Sequence, residues 1–231
     1  MVCYTISATK ANRLYWLGRY TERVYTSLHL LRRCYDKMID GSADEYEKYY
    51  HTMDVTNTYP DLEAFKLGLI YDIDNPASLI SGLERAKDNA IVLRREIMSE
   101  TLGYVEMAMA KMKEEADKHE TNITSLQTVT DCLLSFWGSL DERIDDERVR
   151  NFLVVGRLVE YLDMRIRFCY GWKRVGEFYR RLKRCAEVEE GLMDTNFKDK
   201  LDEMLKPENY NIDNDEYRNR LLKCLNQLIF L

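Results

Sequence analysis

Glycine, arginine and glutamate stand at one spacing twice in this chain. Gly18, Arg19 and Glu22 occur in LGRYTERVYTSLHLL from Leu17, and Gly156, Arg157 and Glu160 in VGRLVEYLDMRIRFC from Val155. A carboxylate beside an apolar helical seam has three chemical uses: pairing with a guanidinium, acid or base work at a pKa moved by burial, or ligation of a hard cation. Each Arg precedes its Glu by three residues, near enough for an intrahelical ion pair. Each Gly removes a side chain, so a neighbouring backbone or a ligand can approach. At about 100° per residue, Gly18, Glu22, Tyr25 and His29 make one stripe. Gly156, Glu160, Asp163 and Arg167 make a second, and Arg85, Asn89, Glu96 and Glu100 a third if their helix is continuous. The candidate internal polar cluster is therefore Arg19, Glu22, Arg85, Asn89, Glu96, Glu100, Arg157, Glu160 and Asp163. Buried charges persist when paired and hydrogen-bonded, so the stripes are expected to converge. One reading of such a cluster is a set of structural ion pairs at helix crossings, the commoner use; the other is a ligand or catalytic site.

Other chemistries find less support in the residues. A phosphate cradle would need G-x-x-x-x-G-K-[ST] or G-x-G-x-x-G, and the sequence contains neither, so no nucleotide cofactor is expected. His29, His51 and His119 are scattered along helical patterns without a suggestive nucleophile, which favours solvated or core roles. A di-iron bundle wants paired Glu-x-x-His, whereas Glu22 is followed at that spacing by Tyr25 and Glu160 by Asp163. The nearby arginines satisfy the same carboxylates, so no metal is expected.

These residues must be positioned by helices. The chain has 231 residues, 45% of them hydrophobic, and only three Pro and ten Gly, a balance that favours helix almost throughout. Leu14, Leu17, Thr21, Val24, Leu28 and Leu31 form the seam of a long first helix from about Thr9 to Ile39. Ser42 and Glu45 read as a capping box opening a Tyr-rich helix to about Tyr59, and a short helix follows near Asp61 to Leu69. Asn75 as N-cap with Pro76 at the first helical position starts a helix to about Lys118, bent near Ser99 or Gly103. Its seam is Leu79, Leu83, Ala86, Ala90, Leu93, Ile97, Tyr104 and Ala108. Further helices are expected over about Ile123 to Leu140, from the acidic stretch at Asp141 to about Gly171, and on to a cap at Gly191. Two amphipathic helices, about Thr195 to Leu205 and Asp215 to Leu228, complete an all-α, single-domain bundle over 1–231 with a weak internal repeat.

Six dispersed cysteines without a C-x-x-C pair, and no evident signal sequence, point to free thiols in a cytoplasmic core. The longest apolar runs fall short of the ~18 residues a membrane span needs. A net charge of −6 argues against general affinity for nucleic acid or anionic membranes. Lys173, Arg174, Arg180, Arg181, Lys183 and Arg184 crowd one segment, but Glu177, Glu187, Glu189 and Glu190 dilute them, so a solvated or partner-facing surface is expected there. Sixteen tyrosines, among them Tyr46, Tyr49 and Tyr50, suit helix packing or protein contacts, including a possible homo-oligomer.

Three blocks carry a family resemblance. NRLYWLGRYTER near the start, NPASLISGLERAKDNAIVLRREIMSE in the middle and VGRLVEYLDM later resemble the bacterial alpha-E domain family, domain of unknown function 403. The middle block, from Asn75 through Arg85, Asn89, Arg94, Ser99 and Glu100, is the most specific; the core match spans about 8–170, and the helices of about 172–231 match in character only. The resemblance implies a helical domain whose genes neighbour, or are fused to, ATP-grasp amide ligases and transglutaminase-like proteins. It thus implies a peptide-synthesis or modification context, with a peptide substrate and a non-catalytic accessory role as the leading expectation. An enzyme of the same pathway using Glu22, Glu100 or Glu160 as acid or base is the alternative. The chain departs from the family pattern at Tyr25, where an acidic residue is usual, and at Tyr161, where Arg often follows the second Glu.

Overall fold

The computed structural model describes residues 6–39, 49, 51–53, 59–118 and 124–231. The expected helix opening at Ser42, with Tyr46 and Tyr50, falls outside the described residues apart from Tyr49 and residues 51–53, as do Cys3 and His119. The described helices are α1 (Ala8–Ile39), α2 (Leu62–Tyr71), α3 (Leu79–Val92), α4 (Arg94–Ile97), α5 (Ser99–Asp117), α6 (Gln127–Arg143), α7 (Glu147–Arg167), α8 (Trp172–Ala186), α9 (Thr195–Met204) and α10 (Asp215–Asn226). Among the described residues the only β pairing is an isolated bridge, Met193 to Ile229. No described helix is long and apolar enough to cross a membrane.

The chain divides into two compact units, Met1–Arg19 with Asp146–Leu231, and Tyr20–Asp145. In the second, α3, α5 and α6 bury Leu83, Ala86, Ala90, Val105, Ala108, Met112, Val129, Leu133 and Phe136. Ser139 Oγ donates to Thr101 Oγ1 at 3.1 Å between buried faces of α6 and α5. The Tyr59 ring packs directly over Gly68 of α2, where an added Cβ would lie 2.1 Å from it and displace the ring. That ring's hydroxyl accepts from Asn75 Nδ2 at 2.9 Å and donates to Asp72 Oδ2 at 3.2 Å.

Two sequence expectations change here. Asn75 makes a turn, its Oδ1 accepting from Ala77 N at 2.9 Å, and Ser78 is the N-cap, its Oγ accepting from Ser81 N at 3.2 Å. The helix that follows, expected to bend near Ser99 or Gly103, is interrupted at Leu93 and again at Met98, next to Ser99. Leu93 leaves helical geometry, and Met98 sits at φ 67, ψ 150, a conformation rare for a side chain with Cβ. The register therefore shifts, and Val105 is buried where the continuous seam placed half-buried Tyr104.

In the first unit, Asp146 caps α7 by accepting from Arg148 N and Val149 N, Asp194 caps α9 and Asn214 caps α10. The expected end of α7 at Gly171 comes earlier. Cys169 takes the left-handed conformation at φ 54, with Tyr170 N donating to Arg165 O at 2.9 Å and Cys169 N to Ile166 O at 3.1 Å. This is a Schellman closure with Cys in the place Gly usually holds. Helix α8 stops at Ala186, short of Gly191, whose φ of 77 serves the turn beyond it. Its apolar face, Val175, Tyr179, Leu182 and Ala186, is buried.

Candidate functional site

Gly18 and Gly156 bring α1 and α7 into backbone contact. A Cβ on Gly18 would stand 2.2 Å from Leu153 O and 3.1 Å from Arg157 N, and one on Gly156 would stand 2.0 Å from Tyr15 O. Leu153 is three residues before Gly156, and Tyr15 is three before Gly18. The contact is thus reciprocal: each glycine receives the carbonyl three residues upstream of the other. The repeated sequence has produced a local two-fold relation between two helical segments.

Beside that crossing lies the charge pair. Arg19 Nε donates to Glu160 Oε2 at 2.7 Å, and the residues are 5% and 0% exposed. Arg19 therefore bonds across the crossing, and the expected intrahelical pair with Glu22 is replaced by an interhelical one. Both glycines let the backbones close, which shortens the span between side chains on facing helices to hydrogen-bonding distance. One turn before Arg19, the Tyr15 hydroxyl accepts from its Nη1 at 3.5 Å, and the Trp16 ring lies 5.1 Å from the guanidinium carbon. Burial works against the Arg19 charge, but Glu160, Tyr15 and Asp163 outweigh it and hold the guanidinium more firmly protonated than usual. Burial also pushes the Tyr15 hydroxyl above its ordinary value, with Arg19 opposing the shift.

Asp163, one turn beyond Glu160, is 3% exposed and uses both oxygens. Oδ1 accepts from Arg167 Nε and Oδ2 from Asn226 Nδ2, each at 2.7 Å, which ties α7 to α10. Arg157 lies half-buried on the same helix. The structure thus brings Arg19, Glu160 and Asp163 together in one unit.

The remaining candidates belong to the other unit. Glu22 is buried and its Oε1 accepts from Thr26 Oγ1 at 2.9 Å. Arg85 is half-buried, donates through Nη1 to Pro76 O at 3.0 Å and lies 5.9 Å from the Tyr20 ring centre. Asn89 and Glu96 are half-buried, and Glu100 is exposed. The stripe from Arg85 to Glu100 requires a continuous helix, and the breaks at Leu93 and Met98 put Glu96 on the four-residue α4 and Glu100 in the first turn of α5. Glu100 is therefore removed from the internal cluster.

Sequence reasoning missed Tyr15, Trp16 and Asn226. Tyr15 and Trp16, four and three residues before Arg19, carried a helical-spacing signal; Asn226 carried none, because its role depends on how α10 packs. It also missed an aromatic stack at the end of α7. Tyr161 lies on Phe178 with ring centres 4.0 Å apart, and the Arg165 guanidinium sits 4.1 Å from Tyr161 and 4.8 Å from Tyr170. Arg174 Nε donates to the Tyr161 hydroxyl at 3.1 Å. At the other departure from the family pattern, Tyr25 packs edge-on against His29 at 4.7 Å.

Residues 7–196 match the family model of the Alpha-E domain, described as a predicted alpha-helical domain with a conserved ER motif. The chain belongs to the Alpha-E family. No curated protein and no solved structure matches it. Within the Alpha-E match, Glu-Arg dipeptides occur at Glu22, Glu84, Glu142 and Glu147, and of these only Glu22 buries its carboxylate-bearing side chain. The all-helical architecture of the Alpha-E domain and the repeated Gly-Arg-x-x-Glu element therefore meet in the long helix α1, which carries both Arg19 and Glu22.

Proposed function

We propose that this Alpha-E chain is a non-catalytic helical accessory protein of a bacterial cytoplasmic peptide-synthesis or modification system, working with an ATP-grasp amide ligase and transglutaminase-like proteins. The observation that carries the non-catalytic reading is the enclosure of Glu160. At 0% exposure and hydrogen-bonded to a buried Arg19, its carboxylate has no path to a substrate and is committed to holding two helices together. An acid or base must instead reach the proton it moves within hydrogen-bond distance. The ligase context rests on the family resemblance, and in this reading the ATP chemistry belongs to the partner, consistent with a sequence that carries neither common phosphate-binding motif. Co-production of the tagged chain with the ligase and transglutaminase-like products of neighbouring genes is the test. Co-elution, with ligase turnover that falls when the chain is omitted, is the expected result. Turnover of a peptide substrate by the chain alone would replace the accessory role with an enzymatic one, and neither co-elution nor an effect of omission would remove the ligase context.

A further inference from the structure

Helix α8 carries its charge in a way that its own stability does not explain. Its buried side is complete, while Lys173, Glu177, Arg180, Arg184 and Glu187 lie within about 80° of one another on the opposite side at 100° per residue. Cations near a helix C-terminus complement its dipole, which accounts for Lys183 and Arg184 in the last turn. The same dipole disfavours Lys173 and Arg174 at the N-terminal end, where no acidic residue occupies the first turn. Of the cations on this helix, Lys183 is answered by Asp202 at 2.6 Å and Arg174 by the Tyr161 hydroxyl; Arg180, Arg181 and Arg184 are exposed and make no ion pair among the described residues. Glu177, Arg180, Lys183, Arg184 and Glu187 line a groove of about 400 Å³.

We infer that this groove is a docking surface for an acidic helical peptide segment of a partner protein. Arg180 and Arg184 are four residues apart, a rise of about 6 Å along the helix, which matches two carboxylates one turn apart on a facing helix. Guanidinium groups suit this pairing because their planar fork engages a carboxylate through two parallel hydrogen bonds. Glu177 and Glu187 bracket the two arginines, so a uniform polyanion such as a nucleic-acid backbone meets repulsion at both ends of the groove, while a peptide can place neutral or basic residues there. An anionic membrane fits less well. The apolar side of α8 is already buried, and a surface-lying helix needs that side for the acyl boundary. This inference rests on the reading of the chain as an interaction protein, and adds where on it a partner binds and by what chemistry.

Fluorescence anisotropy with the full chain tests it, using a labelled helical peptide of roughly 15 residues, the length of α8, that carries glutamates one turn apart. Saturable binding is expected, weakened by added salt and reduced about tenfold or more by R180E/R184E. R180Q/R184Q, which removes charge without adding repulsion, should fall between. Both variants alter exposed side chains and should keep the far-UV circular dichroism of the parent. Binding that survives R180E/R184E, or a glutamine version of the peptide that binds equally well, would overturn the inference. So would tighter binding of duplex DNA or phosphatidylserine vesicles than of the peptide, or a variant-sensitive self-association in sedimentation, since each names a different occupant. Co-elution of the ligase with the parent chain, together with no binding of the peptide to that same chain, would remove this surface and leave the accessory role standing.

Discussion

Replacing Glu160 by Gln keeps the side chain's volume and removes its charge, so Arg19 loses the counter-ion of a guanidinium that is only 5% exposed. Tyr15 and Asp163 soften the loss but cannot replace a 2.7 Å charge-assisted hydrogen bond. Breaking one side of a buried pair costs about 3–5 kcal/mol, whereas replacing both partners with well-packed apolar residues of similar size is often neutral or favourable. Urea denaturation of Glu160→Gln is therefore expected to show a loss of about 3–5 kcal/mol, and Arg19→Met/Glu160→Met should recover most of it. A Glu160→Gln protein as stable as the parent would refute the structural role of the pair and reopen the carboxylate as a site residue. Asp163 is engaged differently, because it has two independent donors and joins α7 to α10 through Asn226.

At the scale of elements, the two glycines of the repeat do opposite work to the two glycines on open helix faces. Gly18→Ala and Gly156→Ala put a methyl group 2.2 and 2.0 Å from backbone carbonyl oxygens that cannot rotate away, so the helices must separate. A destabilisation of about 3 kcal/mol is expected for each, at the upper end of ordinary overpacking, measured by thermal or urea unfolding. Gly103 in α5 and Gly138 in α6 have nothing within 4 Å of the added carbon, and alanine there should stabilise by about 0.5–1 kcal/mol through helix propensity. Equal effects at all four positions would show that the crossing does not depend on close approach. The repeat was legible in the sequence because glycine, arginine and glutamate recur at fixed offsets, and the seams were legible because Leu14, Leu17, Val24 and Leu28, or Val155, Val159, Leu162 and Ile166, keep helical period and are all buried. The partner of Arg19 was not legible. An Arg three residues before a Glu satisfies the local rule equally well whether it bonds within its helix or across a crossing, and only packing decides. The helix boundaries failed for a related reason. The break at Met98 falls beside Ser99, where a bend was expected, but the break at Leu93 was not expected, and Cys169 adopts positive φ without being glycine, so no residue type announced the end of α7; Asn75 offered an N-cap side chain that folding used in a turn instead.

Across the whole molecule, the two units differ in how far along the chain their contacts reach. Thr101 and Ser139, bonded between α5 and α6, are 38 residues apart, whereas Arg19 and Glu160 are 141 apart. The unit formed by Tyr20–Asp145 is one continuous stretch, while the other combines the chain up to Arg19 with Asp146–Leu231 and closes only when both have formed. Loop-closure entropy grows slowly with length, about 0.6 kcal/mol per doubling, but it must be met before the long-range contacts return anything. Packing within Tyr20–Asp145 should therefore form early and the α1–α7 crossing late. Stopped-flow folding in urea gives the test through φ-values at one site in each unit. Leu133→Ala, at a fully buried position of α6, is expected to slow folding with φ of about 0.5 or more, while Glu160→Gln should chiefly accelerate unfolding with φ below about 0.3. Both substitutions remove enough stability for the ratio to be defined, since a buried Leu→Ala change costs about 2–5 kcal/mol. A φ near 1 at Glu160 would reverse the order and place the Gly18–Gly156 crossing in the folding nucleus, with the repeated motif guiding assembly of the chain rather than locking it afterwards.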